Sequence, residues 1–234
     1  MASTIPISRS ITLASQSLRN APLLFTGQNS DPAFSNGDWV KQTILSAPSG
    51  WRWNRVSATF SSPTFVTIAG QSDYEVSLPN FGWLEKSTAY DTNDGDAAFA
   101  LKVELSLASA TQSDQPISIA AYLDDGEGNI TFRLSPAPDK VYAVVCEYQK
   151  AAVLFLSPTD TWEPIPDYLS NIYNIGFLAK SCEYMNDPRF APSMQMFFQL
   201  LAQNFEGLTQ SQRNEWLQDK LNYVRELQKA GQPG

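Results

Sequence analysis

The chain has 234 residues, of which 43% are hydrophobic and 12% aromatic, and it carries 24 Asp and Glu against 16 Lys and Arg. This composition supports a sizeable core and excludes a disordered protein. The formal charge of -8 argues against a broad basic face that grips nucleic acid phosphates. Because the chain contains no histidine, histidine-based triads, acid–base catalysis and metal ligands are all excluded.

Cys146 and Cys182 are the two cysteines, and each lies in or next to an apolar run. We expect buried free thiols rather than a disulfide, which fits a reducing compartment. The first nine residues lack a long apolar core, so no signal peptide is expected. No run approaches the ~20 apolar residues of a membrane span.

The first fifty residues are predicted to contain an extended arm, two short helices and a loop. The arm covers residues 1–9, and residues 29–38 are predicted to be a loop because they are rich in Asn, Asp, Ser and Gly. A short helix is expected over residues 39–45. The other helix is predicted from apolar residues at helical spacing, namely Ile11, Ala14, Leu18 and Ala21.

The phrase Trp51-Arg52-Trp53-Asn54-Arg55 places two indole rings within five residues. In an extended strand, Trp51, Trp53 and Arg55 would lie on one side. The rings either seal an edge of the core or form a stacking platform for bases or sugars. We favour the core, because the phrase joins a helical region to a sheet region.

From Val56 to Phe155 the pattern is that of short strands bounded by turn residues. Strands are predicted at residues 65–70, 73–79, 81–90, 101–107, 117–123, 130–134, 141–148 and 151–155. The Asp124–Asn129 turn joins two of them in a hairpin. Short strands at this spacing indicate an antiparallel sandwich or barrel.

A helical hairpin is predicted from Thr161 to Leu201. Pro164 and Pro166 suit the first turn of a helix, and Met185-Asn186-Asp187-Pro188 ends that helix. Two apolar stripes flank this break: Ile165, Leu169, Ile172, Ile175 and Ala179 before it, and Phe190, Met194, Phe197 and Leu201 after it. Such a hairpin has more apolar surface than it can cover itself, so it requires a sheet, another helix or another subunit.

A last helix is predicted after Gly207, because Thr209 and Gln212 have the spacing of a capping box. These patterns predict an α+β protein, with a helical bundle from the N- and C-terminal segments and a central antiparallel β-sandwich or barrel-like insertion. The expected domains are residues 1–50, residues 51–158 and residues 159–234, with the last packing on the N-terminal helices.

No constellation of catalytic, cofactor-binding or metal-binding residues emerges, so we do not expect an enzyme. The segment Asp91–Asp96 is rich in oxygen ligands but lacks the glycine and the terminal glutamate of a calcium loop. Gly126-Glu127-Gly128 lies in a hairpin turn rather than between a strand and a helix, so it is not a phosphate loop. Carboxylates can still converge from distant positions.

Several phrases of the sequence, in this order along the chain, resemble the adaptor (head-to-tail connector, or neck) proteins of tailed bacteriophages. The resemblance runs from about Trp39 to Leu208 and includes the tryptophan phrase described above. The other phrases are Thr67–Tyr74, Leu134–Asp139 with Tyr142 after it, Trp162–Tyr168, and Asp187-Pro188-Arg189.

The resemblance implies a non-enzymatic virion protein without cofactors, assembled in the host cytoplasm. It would form a ring, commonly of twelve copies, that joins the portal to tail or nozzle proteins, and DNA would pass through the lumen as cargo. A tail-tube or tail-completion protein of a short-tailed phage is the alternative. A carbohydrate-binding β-sandwich, which would use an exposed Trp51, Trp53, Trp83 or Trp162, is a further alternative.

Within this interpretation, two groups of residues are candidates for function. Carboxylates of the β region are expected to outnumber Lys and Arg on the lumen wall, with Asp91, Asp94, Asp96, Asp124, Asp125 and Glu127 as candidates. Core and assembly candidates are Trp51, Trp53, Ile172, Phe177, Phe197 and Leu201. The terminal residues 1–7 and 229–234 are expected to be mobile until ring neighbours or the portal capture them.

Overall fold

A computed structural model describes residues 3–18, 31–93, 97–109 and 112–230. The chain divides into two units. The helical unit combines Met1–Trp53 with Ala152–Gly234, and the β unit is Asn54–Ala151. Helices and strands are thus segregated along the chain, and the predicted α+β class is confirmed.

The described part of the helical unit contains five α-helices. They are α1 (Ile7–Ser17), α2 (Asp31–Leu45), α3 (Ser170–Tyr184), α4 (Phe190–Gln203) and α5 (Gln210–Ala230). A 3₁₀ turn at Asp167–Leu169 leads into α3. Helix α3 packs against α1, α2 and α4, and α4 packs against α5. No helix in these ranges is long and apolar enough to cross a membrane.

Helix α2 begins well before the short helix that the sequence predicted. Residues 31–38 were expected to form a loop, and that prediction was wrong because Pro32 is tolerated in the first helical turn. Gly37, a poor helix former, is required by packing: a Cβ at this position would lie 2.5 Å from Cδ1 of Ile7. Tertiary contact thus overrides a composition typical of loops.

The break of the helical hairpin lies where the sequence placed it, with α3 and α4 separated at residues 185–189. The first helix starts later than predicted, because Pro164 and Pro166 precede the 3₁₀ turn at Asp167–Leu169 and are not in a helical turn. The capping box at the start of α5 is also confirmed. The amide of Thr209 donates to Oε1 of Gln212 at 2.9 Å, and the amide of Gln212 donates to Oγ1 of Thr209 at 3.3 Å. Cys146 and Cys182 are buried free thiols, as predicted.

Ten short strands are described in the β unit. They are β1 (Arg55–Ser57), β2 (Phe65–Val66), β3 (Asp73–Ser77), β4 (Phe81–Asp91), β5 (Ala98–Val103), β6 (Ser113–Asp114), β7 (Ser118–Asp124), β8 (Asn129–Ser135), β9 (Ala137–Pro138) and β10 (Tyr142–Lys150). Eight form one sheet in the order β1-β10-β4-β5-β7-β8-β3, with β2 also paired to β10. Its pairings are antiparallel except for the parallel pair β5–β7.

This sheet curls, so it corresponds to the barrel-like alternative rather than to a two-sheet sandwich. Phe65, beside β10, stacks on Tyr74 of the opposite edge strand β3 with ring centroids 4.9 Å apart. Phe132 of β8, the register partner of Tyr74, also stacks on Phe65, with ring centroids 5.7 Å apart. An apolar core therefore fills the concave side of a half-barrel.

Three strand predictions were wrong. Residues 51–54 form a turn, so Trp51 and Trp53 do not alternate along a strand. Strand β5 ends at Val103 instead of continuing to Leu107, because the chain leaves the sheet there and Leu105 is 100% exposed. Residues 151–155 are outside the sheet; this segment belongs to the helical unit from Ala152 onwards.

Candidate assembly surface and DNA-facing turn

The core and assembly candidates of the hairpin lie inside the helical unit. Ile172, Phe177, Phe197 and Leu201 are at most 3% exposed. Helices of the same chain cover the apolar stripes from which the sequence predicted a need for another subunit: α1 and α2 pack on α3, and α5 packs on α4. These four side chains stabilise the fold and do not offer a surface to a neighbour.

Trp51 is buried at 1% exposure, and its indole Nε1 donates to the carbonyl oxygen of Ile44 at 2.8 Å. Trp53 is half-buried and stacks on Trp51 with centroids 5.2 Å apart. The pair is therefore part of the core of the helical unit and not an open stacking platform. Trp162 is also buried, while Trp83 in the β unit is 41% exposed.

Two of the phrases that carry the family resemblance fix loops of the β unit. The hydroxyl of Tyr74 donates to the carbonyl oxygen of Gln71 at 2.6 Å and accepts from the amide of Ile68 at 3.1 Å, which closes the 67–74 turn. The hydroxyl of Tyr142 donates to Oδ1 of Asp139 at 2.8 Å. These residues act structurally, by holding turns in place.

The Asp187-Pro188-Arg189 phrase joins the hairpin turn to α1. Arg189 donates to both carboxylate oxygens of Asp187, at 2.8 and 2.7 Å, and its Nη1 donates to the carbonyl oxygen of Ser17 at 2.8 Å. The arginine lowers the pKa of Asp187 to about 2, so the carboxylate is charged at neutral pH. A cation near the last turn of α1 also complements the negative end of the helix dipole.

Residues 3–7 are anchored, contrary to the prediction of a mobile arm, while residues 1–2 and 231–234 of the two predicted mobile ends lie outside the described residues. Ser3 Oγ donates to Asp167 Oδ1 at 2.6 Å, and Thr4 Oγ1 donates to Asp167 Oδ2 at 2.7 Å. Pro6 forms a bridge with Thr161. Ile7 is fully buried. The sequence contained no signal for this contact, because its partners are more than 150 residues apart.

A buried lysine that the sequence analysis missed holds residues 152–161 against α2. Lys41 is 2% exposed and donates from Nζ to the carbonyl oxygens of Val153 at 3.0 Å and Thr161 at 3.2 Å. Its ammonium also lies 3.7 Å from the ring centroid of Phe155. Burial lowers the pKa of Lys41 to about 8, an effect that the nearby Asp38 partly opposes.

The acidic candidates do not form one group. Asp91 is only 8% exposed, and its carboxylate is ion-paired with Lys140 and accepts from the amide of Asn93 at 2.9 Å. It therefore does not present its charge to a lumen, and this part of the prediction is not supported. Asp94 and Asp96 lie outside the described residues, so neither the lumen nor the calcium interpretation of that loop is tested.

Asp124, Asp125 and Glu127 are exposed in the turn between β7 and β8. Oδ1 of Asp125 accepts from the amides of Glu127 at 2.7 Å and Asn129 at 3.0 Å, and Oδ2 accepts from the Asn129 side chain at 2.7 Å. The Asn129 side chain, followed by these amides, lowers the pKa of Asp125. Hydrogen bonds to Asp125 thus hold the turn in place, and its three carboxylates are exposed.

Nearly all of the net charge belongs to the β unit. Residues 54–151 contain 13 Asp and Glu and 6 Lys and Arg, a net charge of -7 out of the -8 of the chain. Five of these six basic residues are ion-paired with carboxylates of the same unit. Further carboxylates are exposed, so the surface of this unit repels polyanions.

The phrases and candidates of the sequence analysis thus contribute turns held by hydrogen bonds, apolar stripes covered within the chain and a strongly acidic sheet unit. The chain matches the SU10 adaptor protein family over residues 17–223. It belongs to this family of bacteriophage adaptors, which makes it a structural component of the virion with a role among head–tail proteins. No curated protein matches the chain.

Proposed function

We propose that the protein assembles into a ring of about twelve copies that joins the portal to tail or nozzle proteins, with DNA passing through the lumen. The net charge of -7 on the β unit carries this proposal together with the family. Repeated around a ring, this charge repels phosphates and keeps DNA mobile during ejection. A basic lining would instead add affinity with every phosphate contact.

In this proposal the β7–β8 turn supplies the lumen wall with Asp124, Asp125 and Glu127, while the helical unit acts as a bundle that carries the contacts between copies. The buried hairpin residues are not available for those contacts. Exposed apolar side chains of the helical unit are the better candidates, notably Leu156 at 85%, Tyr168 at 70% and Tyr184 at 57% exposure. Large apolar groups left in water favour association.

The mass of the native particle tests this proposal, measured for the protein alone and with its portal. We expect a species of about twelve times the 25.9 kDa chain in at least one of the two samples. A protein that stays monomeric in both samples contradicts ring formation. Association with tail proteins but not with the portal would support the tail-tube or tail-completion alternative.

A further inference from the structure

The β unit contains a groove at the point where β5 ends early. Strand β4 pairs with β5 over residues 87–90, and β5 pairs with β7 at residues 102–103. The amide of Glu104 makes one more bond, to the carbonyl oxygen of Ile119 at 2.9 Å, and the chain then leaves the sheet. Strands β4 and β7 continue without β5 between them, and a groove of about 470 Å³ lies there.

Large apolar side chains in this groove are exposed to water. Leu105 is 100% exposed, Leu123 58%, Tyr122 43% and Trp83 41%. They lie on three neighbouring parts of the sheet, the start of β4, the end of β7 and the chain just beyond β5, and all four line the groove. A contiguous apolar surface of this kind in a folded unit is typical of a binding site.

The rim of the groove beside the β7–β8 turn is negatively charged. Asp124 lines the groove and is exposed, whereas Glu104, which also lines it, is ion-paired with Lys102 at 2.6 Å. The exposed Asp125 and Glu127 follow in the same turn as Asp124. A ligand with apolar side chains and a positive charge therefore matches this surface better than a second copy of this chain, whose net charge is -8.

We propose that this groove binds an extended, apolar segment of another protein that carries lysine or arginine, and that the segment lies along the path that β5 leaves empty. Main-chain groups on the inner sides of β4 and β7 would pair with the added strand, as in β-strand addition. Trp83, Leu105 and Leu123 would receive its apolar side chains, and Asp124 its positive charge. The proposal does not depend on ring formation; in a ring, a bound segment would pair with Asp124 and leave Asp125 and Glu127 to the lumen wall.

Selection from a library of random linear peptides, with the full-length protein as the immobilised target, tests this proposal. We expect a consensus with apolar residues at alternating positions and Lys or Arg beside them, and micromolar dissociation constants for the synthesised peptides. Leu105→Asp should weaken binding at least about tenfold, because this fully exposed side chain can be replaced without disturbing the fold. Asp124→Lys should weaken it as well.

Ile68→Asp is the matched control, because Ile68 is 60% exposed in the same unit but does not line the groove. It should bind the selected peptides like the parent. Peptides with N-methyl groups at alternate residues should lose affinity if the backbone pairs with the strands. Selection without a consensus, an acidic consensus, or equal binding by Leu105→Asp and Ile68→Asp would each overturn the proposal.

Discussion

Trp51 joins a turn of the chain to α2 and to the aromatic core of the helical unit. Its ring is 1% exposed, stacks on Trp53 and lies edge-on to Phe205 at 6.0 Å. Trp51→Ala should lower the free energy of unfolding by roughly 3–5 kcal/mol, because truncation leaves a large cavity and removes the indole hydrogen bond to the carbonyl oxygen of Ile44. Urea unfolding measures this change, provided that the m-value is unchanged.

Two other tryptophans serve as comparisons in the same experiment. Trp53→Ala should lower stability less than Trp51→Ala, because Trp53 is half-buried. Trp83→Ala, which removes a side chain that is 41% exposed, should have the smallest effect. If Trp51→Ala unfolded at the same urea concentration as Trp83→Ala, the assignment of Trp51 to the core would be refuted.

Gly176 in α3 is a position where helix propensity and packing disagree. Alanine favours a helix over glycine by up to about 1 kcal/mol. A Cβ at this position, however, would lie 2.8 Å from the ring of Phe197 and 3.0 Å from Cγ1 of Val40. Gly176→Ala should therefore destabilise the protein, by about 1–3 kcal/mol, because the ring is buried and cannot move away.

A double variant tests whether the ring is the cause. Phe197→Leu removes part of the ring and should offset some of the destabilisation by Gly176→Ala, so the two changes should not add. Thermal or urea unfolding of both single variants and the double variant measures this coupling. If the two changes in unfolding free energy add strictly, or if Gly176→Ala is more stable than the parent, the contact between residue 176 and the Phe197 ring does not cause the destabilisation.

Lys41 should make stability rise with pH in the alkaline range. Its pKa in the folded state is about 8, below the 10.5 of an ordinary lysine, so between these values the unfolded chain binds more protons. The folded state gains relative stability as pH rises through this interval, and below pH 8 the unfavourable burial of the charge is fully present. The neutral amine can still donate to Val153 and Thr161.

Unfolding of the parent and of Lys41→Met from pH 7 to 10 measures this effect. The difference in slope isolates the lysine from other groups, including Cys146, whose pKa burial raises to about 11 and which acts in the opposite direction. We expect the parent to gain stability with pH relative to the variant. Parallel pH profiles for the two proteins would mean that Lys41 titrates like an exposed lysine.

At the scale of elements, residues 3–8 act as a strap that ties α1 to the chain before α3. The amides of Ile7 and Ser8 donate to the carbonyl oxygens of Asp160 at 2.9 Å and Pro158 at 3.2 Å. Asp167→Ala removes the carboxylate that accepts from Ser3 and Thr4. The amides of Ile5, Ile7 and Ser8 should then exchange faster with deuterated solvent, while those of α5 should be unaffected.

Asp219→Ala, at an exposed position in α5, is the control for this exchange experiment. It should leave the exchange of residues 5–8 unchanged. If Asp167→Ala also leaves it unchanged, Asp167 does not anchor the strap. If the parent protein shows equally slow exchange of these amides when free and when assembled, ring neighbours are not needed to order this segment.

Several elements could be predicted because their signals are local. The break between α3 and α4 depends on Pro188, and the start of α5 depends on the reciprocal bonds of Thr209 and Gln212. The hairpin of β7 and β8 follows from alternation and a turn rich in Gly and Asp. The start of α2 was predicted wrongly because Gly37 packs on Ile7, which is distant in the chain. The end of β5 was predicted wrongly because the apolar alternation continues to Leu107, although the strand ends at Val103.

At the scale of the whole molecule, the segregation of charge leads to a prediction about DNA. The purified protein should bind duplex DNA weakly at physiological salt, with a dissociation constant above about 1 μM. In assembled particles, Asp124→Lys combined with Glu127→Lys should tighten binding and steepen its salt dependence. The new lysines would contact phosphates where carboxylates now repel them.

Glu215→Lys combined with Asp219→Lys is the matched control, because it makes the same change in charge at exposed positions of α5. Fluorescence anisotropy at several salt concentrations compares the two variants. Equal affinity would contradict the assignment of the β7–β8 turn to the DNA path. If the parent protein already binds DNA with a dissociation constant below about 1 μM and a steep salt dependence, the proposal that DNA passes through without being held would be contradicted.

The sequence by itself determined the class of the fold, the helical hairpin, most strands, the free thiols and the resemblance to phage adaptors. These features depend on periodicity, turn residues and phrases that a few neighbouring residues carry. The tertiary structure alone decided which apolar stripes are covered, that Asp91 is buried beside Lys140, and that residues 3–7 are anchored. Burial and pairing depend on groups far apart in the chain, and a local sequence pattern does not specify which distant groups come into contact.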